Sequence, residues 1–231
     1  MNKNLFEIAY ILDRSGSMQR MVEPAIAGFN QFLREQREAP GEARLSLILF
    51  DDEYELPCDR VPLDEVPELD TTTYVPRATT ALLDAIGRTI NEIDQRLDNM
   101  LEAERPGKVM VAIFTDGLEN ASREFSLDQI NQLIREKREN HSWEFLFLAA
   151  NQDAIATAGR MGIDPNMAGT VKFSKEGVHS SSSSMSRKMH AMRTFSVSAQ
   201  KSEDFDAPMQ DIALEEEKIV KKKKEKDDKN D

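Results

Sequence analysis

Residues 5–18 read LFEIAYILDRSGSM. An apolar run, broken once at Glu7, ends at Asp13, and a helical pattern starts near Met18. The run has the continuous hydrophobicity of a strand covered on both faces, which is the habit of parallel sheets. The turn that follows presents one carboxylate and two hydroxyls, Asp13, Ser15 and Ser17, at positions i, i+2 and i+4. These are hard oxygen donors of the kind that Mg²⁺ prefers.

The same alternation of strand and helix continues along the chain. Met18, Met21, Val22, Ala25, Ile26, Phe29, Phe32 and Leu33 form the stripe of an amphipathic helix. Pro40-Gly41 interrupts, and residues 43–50 read as a second strand. A third strand is expected over 53–58. The three residues 51–53 between them leave room only for a hairpin, so the third strand runs antiparallel to the second. Residues 57–76 hold four prolines and read as loop. Leu82, Ile86, Ile90, Ile93 and Leu97 mark a second helix, and 108–115 (KVMVAIFT) a buried strand. Ser126 to Gln129 has the form of a capping box that opens a third helix. Residues 143–150 read as a buried strand, 153–161 as a short helix and 170–173 as a short strand. The run Ser180 to Ser184 reads equally as a linker, but Met185, Met189, Met192 and Phe195 keep helical spacing, so a final helix is placed over 176–198. Its methionines read as core packing. The order predicts an α/β fold: a Rossmann-like, doubly wound, mostly parallel sheet with helices on both faces. Residues 1–200 form one domain. Residues 201–231, with eight basic and eleven acidic residues, form a charged tail expected to be disordered or marginally helical.

Composition narrows the function. The net charge of −12 repels phosphate backbones, so no nucleic-acid partner is expected. Lys221 to Lys224 reads as a solvated run within an acidic tail. With one cysteine, Cys58, no intrachain disulfide can form, which fits a reducing compartment. His141, His179 and His190 lack zinc spacing with it. No apolar stretch approaches the roughly 20 residues of a membrane span, and the first run is too short and polar for a secretory signal. A cytoplasmic protein without membrane partners is expected.

In doubly wound sheets the ligand crevice lies beyond the strand C-termini, where strand order reverses. Three pieces should meet there: Asp13, Ser15 and Ser17; Thr79-Thr80 before the second long helix; and Phe114 to Gly117 (FTDG), with Asp116 at a strand end. Each alone reads equally as a helix cap or a turn. In this order they resemble a von Willebrand factor A domain of the intracellular bacterial type, with its metal-ion-dependent adhesion site (MIDAS). The resemblance covers roughly residues 3–175. It implies a sheet of order 3-2-1-4-5-6 with one antiparallel edge strand, in agreement with the hairpin. It implies Mg²⁺, with Mn²⁺ as alternative, held by Ser15 and Ser17 directly, by Thr80 according to state, and by Asp13 and Asp116 directly or through water. The chain departs from the family pattern at Ala78-Thr79-Thr80, where glycines are common, which leaves Thr79 open as the ligand beside Thr80. It also has Gln19, Arg20 and Met21 where integrin-type domains carry acids for a second cation, so a single ion is expected.

The function so implied is a Mg²⁺-dependent protein-interaction module that binds an Asp or Glu of a partner, by family analogy an ATPase or stress-response component. Tyr74, Arg77, Leu118, Glu119 and Asn120 lie in the predicted site loops as candidates for partner choice. A Mg²⁺-dependent phosphohydrolase is the enzymatic alternative, but Arg14 and Ser15 stand where its second aspartate would act as acid or base, and no histidine lies in the site loops. No G-x-S-x-G elbow or dinucleotide fingerprint is present. A scaffold with a vestigial metal site is the remaining reading.

Overall fold

The first strand, β1 (Asn2–Asp13), is buried from Leu5 to its end. In the computed structural model, which describes residues 1–150, 154–172 and 174–227, it runs through the middle of a six-stranded sheet. Its neighbours are β2 (Glu42–Phe50) and β4 (Pro106–Thr115), both parallel to it. Beyond β2 lies β3 (Tyr54–Pro62), antiparallel; beyond β4 lie β5 (Glu144–Ala149) and β6 (Ala168–Thr170), parallel. The order is β3-β2-β1-β4-β5-β6, as the resemblance implies. Strand order reverses between β1 and β4, so the crevice opens beyond Asp13 and Thr115.

Side-chain alternation divides the core into two layers. Phe6, Ile8, Tyr10 and Leu12 of β1, with Met110, Ala112 and Phe114 of β4, face α1 (Val22–Glu38) and α5 (Lys175–Ser198). Ala9 and Ile11, with Val109, Val111 and Ile113, face α2 (Leu82–Asn99), α3 (Leu127–His141) and α4 (Ala154–Arg160). Glu7, the one acid in the first run, is fully buried but bonded to Arg60 at 2.7 Å and Arg96 at 3.3 Å.

Local chemistry explains the element ends. The hairpin turns on Asp51, whose carboxylate accepts the Glu53 N–H at 2.7 Å, an Asx turn. The Ser126 hydroxyl accepts the Gln129 N–H while the Gln129 side-chain amide oxygen accepts the Ser126 N–H, completing the expected capping box. The first helix starts later than its apolar stripe does. Gly16–Met21 is a 3₁₀ turn, and α1 begins at Val22 with Pro24 in its first turn, where a missing N–H costs nothing.

Of three segments, β3 and the tail differ from the expectation, and the serine run keeps the helix placed there. β3 continues through Pro57 to Pro62; it is an edge strand, laddered to β2 on one side only, where proline is tolerated. The serine run is helical and buried within α5. It lies against α1 so closely that a Cβ on Gly28 would stand 2.3 Å from the Ser182 hydroxyl, a contact only small side chains permit. Third, the segment expected as a loose tail forms α6 (Glu203–Asp206) and α7 (Met209–Asp227), with Met209, Ile212 and Ala213 buried. Arg187 of α5 bonds Asp204 at 2.6 Å and Glu216 at 2.8 Å. Lys188 donates to three carbonyls at the end of α6, those of Asp204, Phe205 and Ala207. The Gln210 side-chain amide oxygen accepts the Thr170 N–H at 2.7 Å, covering the edge strand β6. The expected starting residue of the short helix, Asp153, and the expected last residue of the short strand, Phe173, lie outside the described residues, as do residues 228–231 of the tail.

Candidate metal centre

Three loops meet beyond the C-termini of β1 and β4. The first carries Asp13, Ser15 and Ser17. The Asp13 carboxylate accepts the Ser15 N–H at 2.7 Å on one oxygen and the Thr115 hydroxyl at 2.5 Å on the other. Its backbone carbonyl accepts the Tyr74 hydroxyl at 2.5 Å. The hydroxyls of Ser15 and Ser17 lie 3.1 Å apart, and that of Ser17 donates to Asp116 at 2.7 Å. A chain of hydroxyls therefore joins the two carboxylates, which come from strands more than a hundred residues apart in sequence.

The second loop carries Thr80, which is buried while Thr79 is exposed. Asn120 takes the Thr80 N–H on its side-chain oxygen at 3.0 Å and gives its own N–H to the Thr80 carbonyl at 3.1 Å. A Cβ on Gly117 would stand 3.1 Å from the Thr80 hydroxyl oxygen and 3.7 Å from an Asp13 carboxylate oxygen. Glycine thus lets the third loop, Asp116-Gly117, close onto the other two. Ala78, at φ +52°, makes the bend that brings its carbonyl to the Gly16 N–H at 3.1 Å. All five expected residues are therefore placed around one crevice, and Thr80 is the threonine turned towards it.

Electrostatics at the crevice are unbalanced. Burial pushes the Asp13 carboxyl up from its ordinary 3.8 to about 6; bonds from Thr115 and Ser15 oppose the rise, and the Asp116 charge adds to it. Burial raises Asp116 as well, opposed by the Ser17 hydroxyl. Among the described residues no Lys or Arg lies within ion-pair distance of either. Two desolvated carboxylates with neutral hydroxyls between them are the donor set of a hard divalent cation, and the residues present fit one. Among the described residues there is no cluster of three or more His, Cys, Asp or Glu that could hold a metal, so this mixed hydroxyl–carboxylate set is the candidate.

The cations nearby are used elsewhere. Arg14 is buried and turned to the hairpin, 3.2 Å from Asp51 and 2.7 Å from Glu55. Arg77 pairs with Asp51, Glu53 and Glu55. Backbone bonds Arg14 N–H to Phe50 O and Ala81 N–H to Asp51 O tie the same hairpin to the first two loops. Several residues expected to meet a partner are instead fasteners. Tyr74 is fully buried. Glu119 accepts the N–H groups of Leu83, Ala121 and Ser122 and the Ser122 hydroxyl. Asn120 holds Thr80. Of that set Leu118, 67% exposed, is free to meet a partner. Thr115 was not singled out from sequence, although its hydroxyl holds Asp13; its place inside FTDG, one residue before Asp116, is the signal that could have found it.

No protein-family model matches the chain, and no curated protein matches it in sequence. Solved structures do match in fold. Proximal thread matrix protein 1 from the mussel byssus, solved with a zinc-occupied MIDAS motif, aligns at TM-score 0.55 and 13% identity over 80% of this chain and 46% of its own. The pilus adhesin SpaC from Lactobacillus rhamnosus GG aligns at 0.58 and 12%, over 83% and 31%. A von Willebrand factor type A protein from Catenulispora acidiphila aligns at 0.50 and 11%, over 83% and 42%. This chain spans less than half the length of each. At these identities the likeness is one of fold, that of a von Willebrand factor A domain. Among the described residues no helix is long and apolar enough to cross a membrane.

Proposed function

We propose that this chain is a metal-dependent protein-interaction module that grips an aspartate or glutamate of a partner protein through one Mg²⁺ ion, Mn²⁺ being the alternative. The observation that carries this reading is the convergence of Asp13 and Asp116 through the hydroxyls of Ser15 and Ser17, with Thr80 alongside and no protein cation within ion-pair distance among the described residues. Ser15, Ser17 and Thr80 would hold the ion through hydroxyls, and Asp13 and Asp116 directly or through water. The bound ion supplies a positive centre able to accept a carboxylate from solvent.

The chain's own residues do the positioning. Thr115 and the Ser15 N–H fix both oxygens of Asp13, so its orientation is set before any ion arrives. With one of the two aspartates acting only through water, the ion would keep net positive character towards solvent, and the neutral hydroxyls add no charge to offset it. The neighbours' zinc-occupied MIDAS and pilus adhesin support the same reading by analogy of fold. We read the site as non-catalytic: Arg14, next to Asp13 in sequence, is turned to Asp51 and Glu55 and offers no proton at the crevice. A cytoplasmic setting, an acidic partner residue, and an ATPase or stress-response component as partner belong to this proposal. Capture of partners from the native lysate tests it: the main partner should be lost on adding EDTA and on Asp13→Ala. An unchanged partner set in both would refute it.

A further inference from the structure

Beside the candidate metal centre lies a cavity of about 300 Å³, between the start of α2, the loop after β4, the start of α3 and α4. We propose that it receives a large apolar side chain of the partner segment whose acidic residue the metal grips, and that a second acidic residue of that segment pairs with Arg160. This rests on the metal-dependent reading above and names the chemistry of its partner.

The cavity and the centre share a wall. Gly117 lines the cavity, and its Cα carries no atom between the cavity and Thr80 or Asp13. Leu82, Phe147 and Met161 close the floor, all at most 2% exposed, and Leu83 and Leu127 form half-buried sides. Leu118 stands at the mouth, 67% exposed. A lone exposed leucine means little, but one at the lip of an apolar cavity extends a surface that gains by being covered. The volume is at the lower limit for small-molecule pockets, and suits one large side chain on a chain whose other groups stay outside.

Charge selects the partner. Glu119 is the one carboxylate in the wall, and backbone N–H groups and the Ser122 hydroxyl take up both of its oxygens. Arg160, exposed at the rim, donates to the Thr157 hydroxyl of its own helix at 3.2 Å and lies within 4 Å of no carboxylate among the described residues. On a chain of net charge −12 this is a local positive point, complementary to an acid. In an extended segment, side chains two apart share a face and stand roughly 6.5 Å apart, so acid, apolar residue and acid fall within a short stretch.

The test uses acetylated glycine peptide amides titrated into the full chain with Mg²⁺. One peptide carries a single Asp. A second set adds Leu one to three positions away on either side, and a third adds Glu two positions beyond the Leu. At least one Leu peptide should bind about tenfold tighter than the Asp peptide, and the added Glu should give about a further twofold to fivefold. Leu118→Ser should remove most of the Leu gain, Thr157→Trp should remove it by filling the cavity, and Arg160→Ser should remove the Glu gain alone. Metal-dependent binding of the Asp peptide with no gain from any Leu position overturns this inference and leaves the carboxylate grip standing. A Leu gain that survives both Leu118→Ser and Thr157→Trp puts the apolar contact elsewhere and also overturns it. If no peptide binds in a metal-dependent way, both fall.

Discussion

The two carboxylates of the crevice sit at the ends of adjacent strands yet are held differently. Asp13 is fully buried, with each oxygen occupied by a donor from its own surroundings. Asp116 is partly exposed and takes one hydroxyl, from Ser17, on one oxygen. On the proposed reading Asp13 would serve as a preset anchor, and Asp116 would hold the ion directly or through water. The contrast teaches that the carboxylate held from both strand ends, by the Ser15 N–H after β1 and the Thr115 hydroxyl of β4, is the fixed one, and that the carboxylate with a single hydroxyl donor is the less constrained one.

Substitutions should separate the two roles. Asp13→Ala should weaken Mg²⁺ binding by at least about 100-fold, because it removes the buried charge and the anchor together; calorimetric titration checks this. Asp13→Asn should lose the metal as well, yet stabilise the metal-free protein at pH 7 by up to about 3 kcal/mol, read from chemical denaturation. The sign follows from its raised pKa. The folded state binds a proton more tightly than the unfolded chain, so the metal-free protein loses stability as pH rises from near 3.8 through about 6. Metal affinity runs the other way and should fall as pH drops below about 6, where protons compete for Asp13. A metal-free protein whose stability rises across that window would break the contrast.

Asp116→Asn should cost less, about tenfold in Mg²⁺ affinity, since the anchor remains and the Ser17 hydroxyl keeps an acceptor. Equal losses at the two positions would erase the distinction. Gly117→Ala should have the smallest effect, a few-fold loss of affinity, as Thr80 shifts to admit a Cβ 3.1 Å away. Isothermal titration across the series ranks all three.

The difference between these regions also explains what could be read from sequence. Asp13, Ser15 and Ser17 share one turn, so their pattern is visible in a six-residue window. Strand polarity followed from continuous apolar runs and a three-residue hairpin, and strand order from the family resemblance that the turn and its companion motifs carry. Contacts made across the fold left no such trace. Tyr74 looks like a surface tyrosine until its loop folds its hydroxyl onto the Asp13 carbonyl. Glu119 looks like a free acid until it caps the start of α2. Ser180 to Ser184 has linker composition, and only the closeness of α1 shows why small residues stand in a helix there. The segment after Lys201 reads as a loose tail because its charge is counted alone; Arg187 and Lys188, in a different helix, supply its partners. Arg187→Ala should therefore loosen α6 and α7 first, seen as faster hydrogen exchange over 203–217, with the crevice unaffected.

The most direct measurement is Mn²⁺ titration of the wild-type chain and of Asp13→Ala, followed by electron paramagnetic resonance of the free ion. One Mn²⁺ per wild-type chain, displaced by Mg²⁺, with no saturable binding to folded Asp13→Ala, is the expected result. Equal saturable binding by both proteins would contradict the assignment of the crevice as the metal centre.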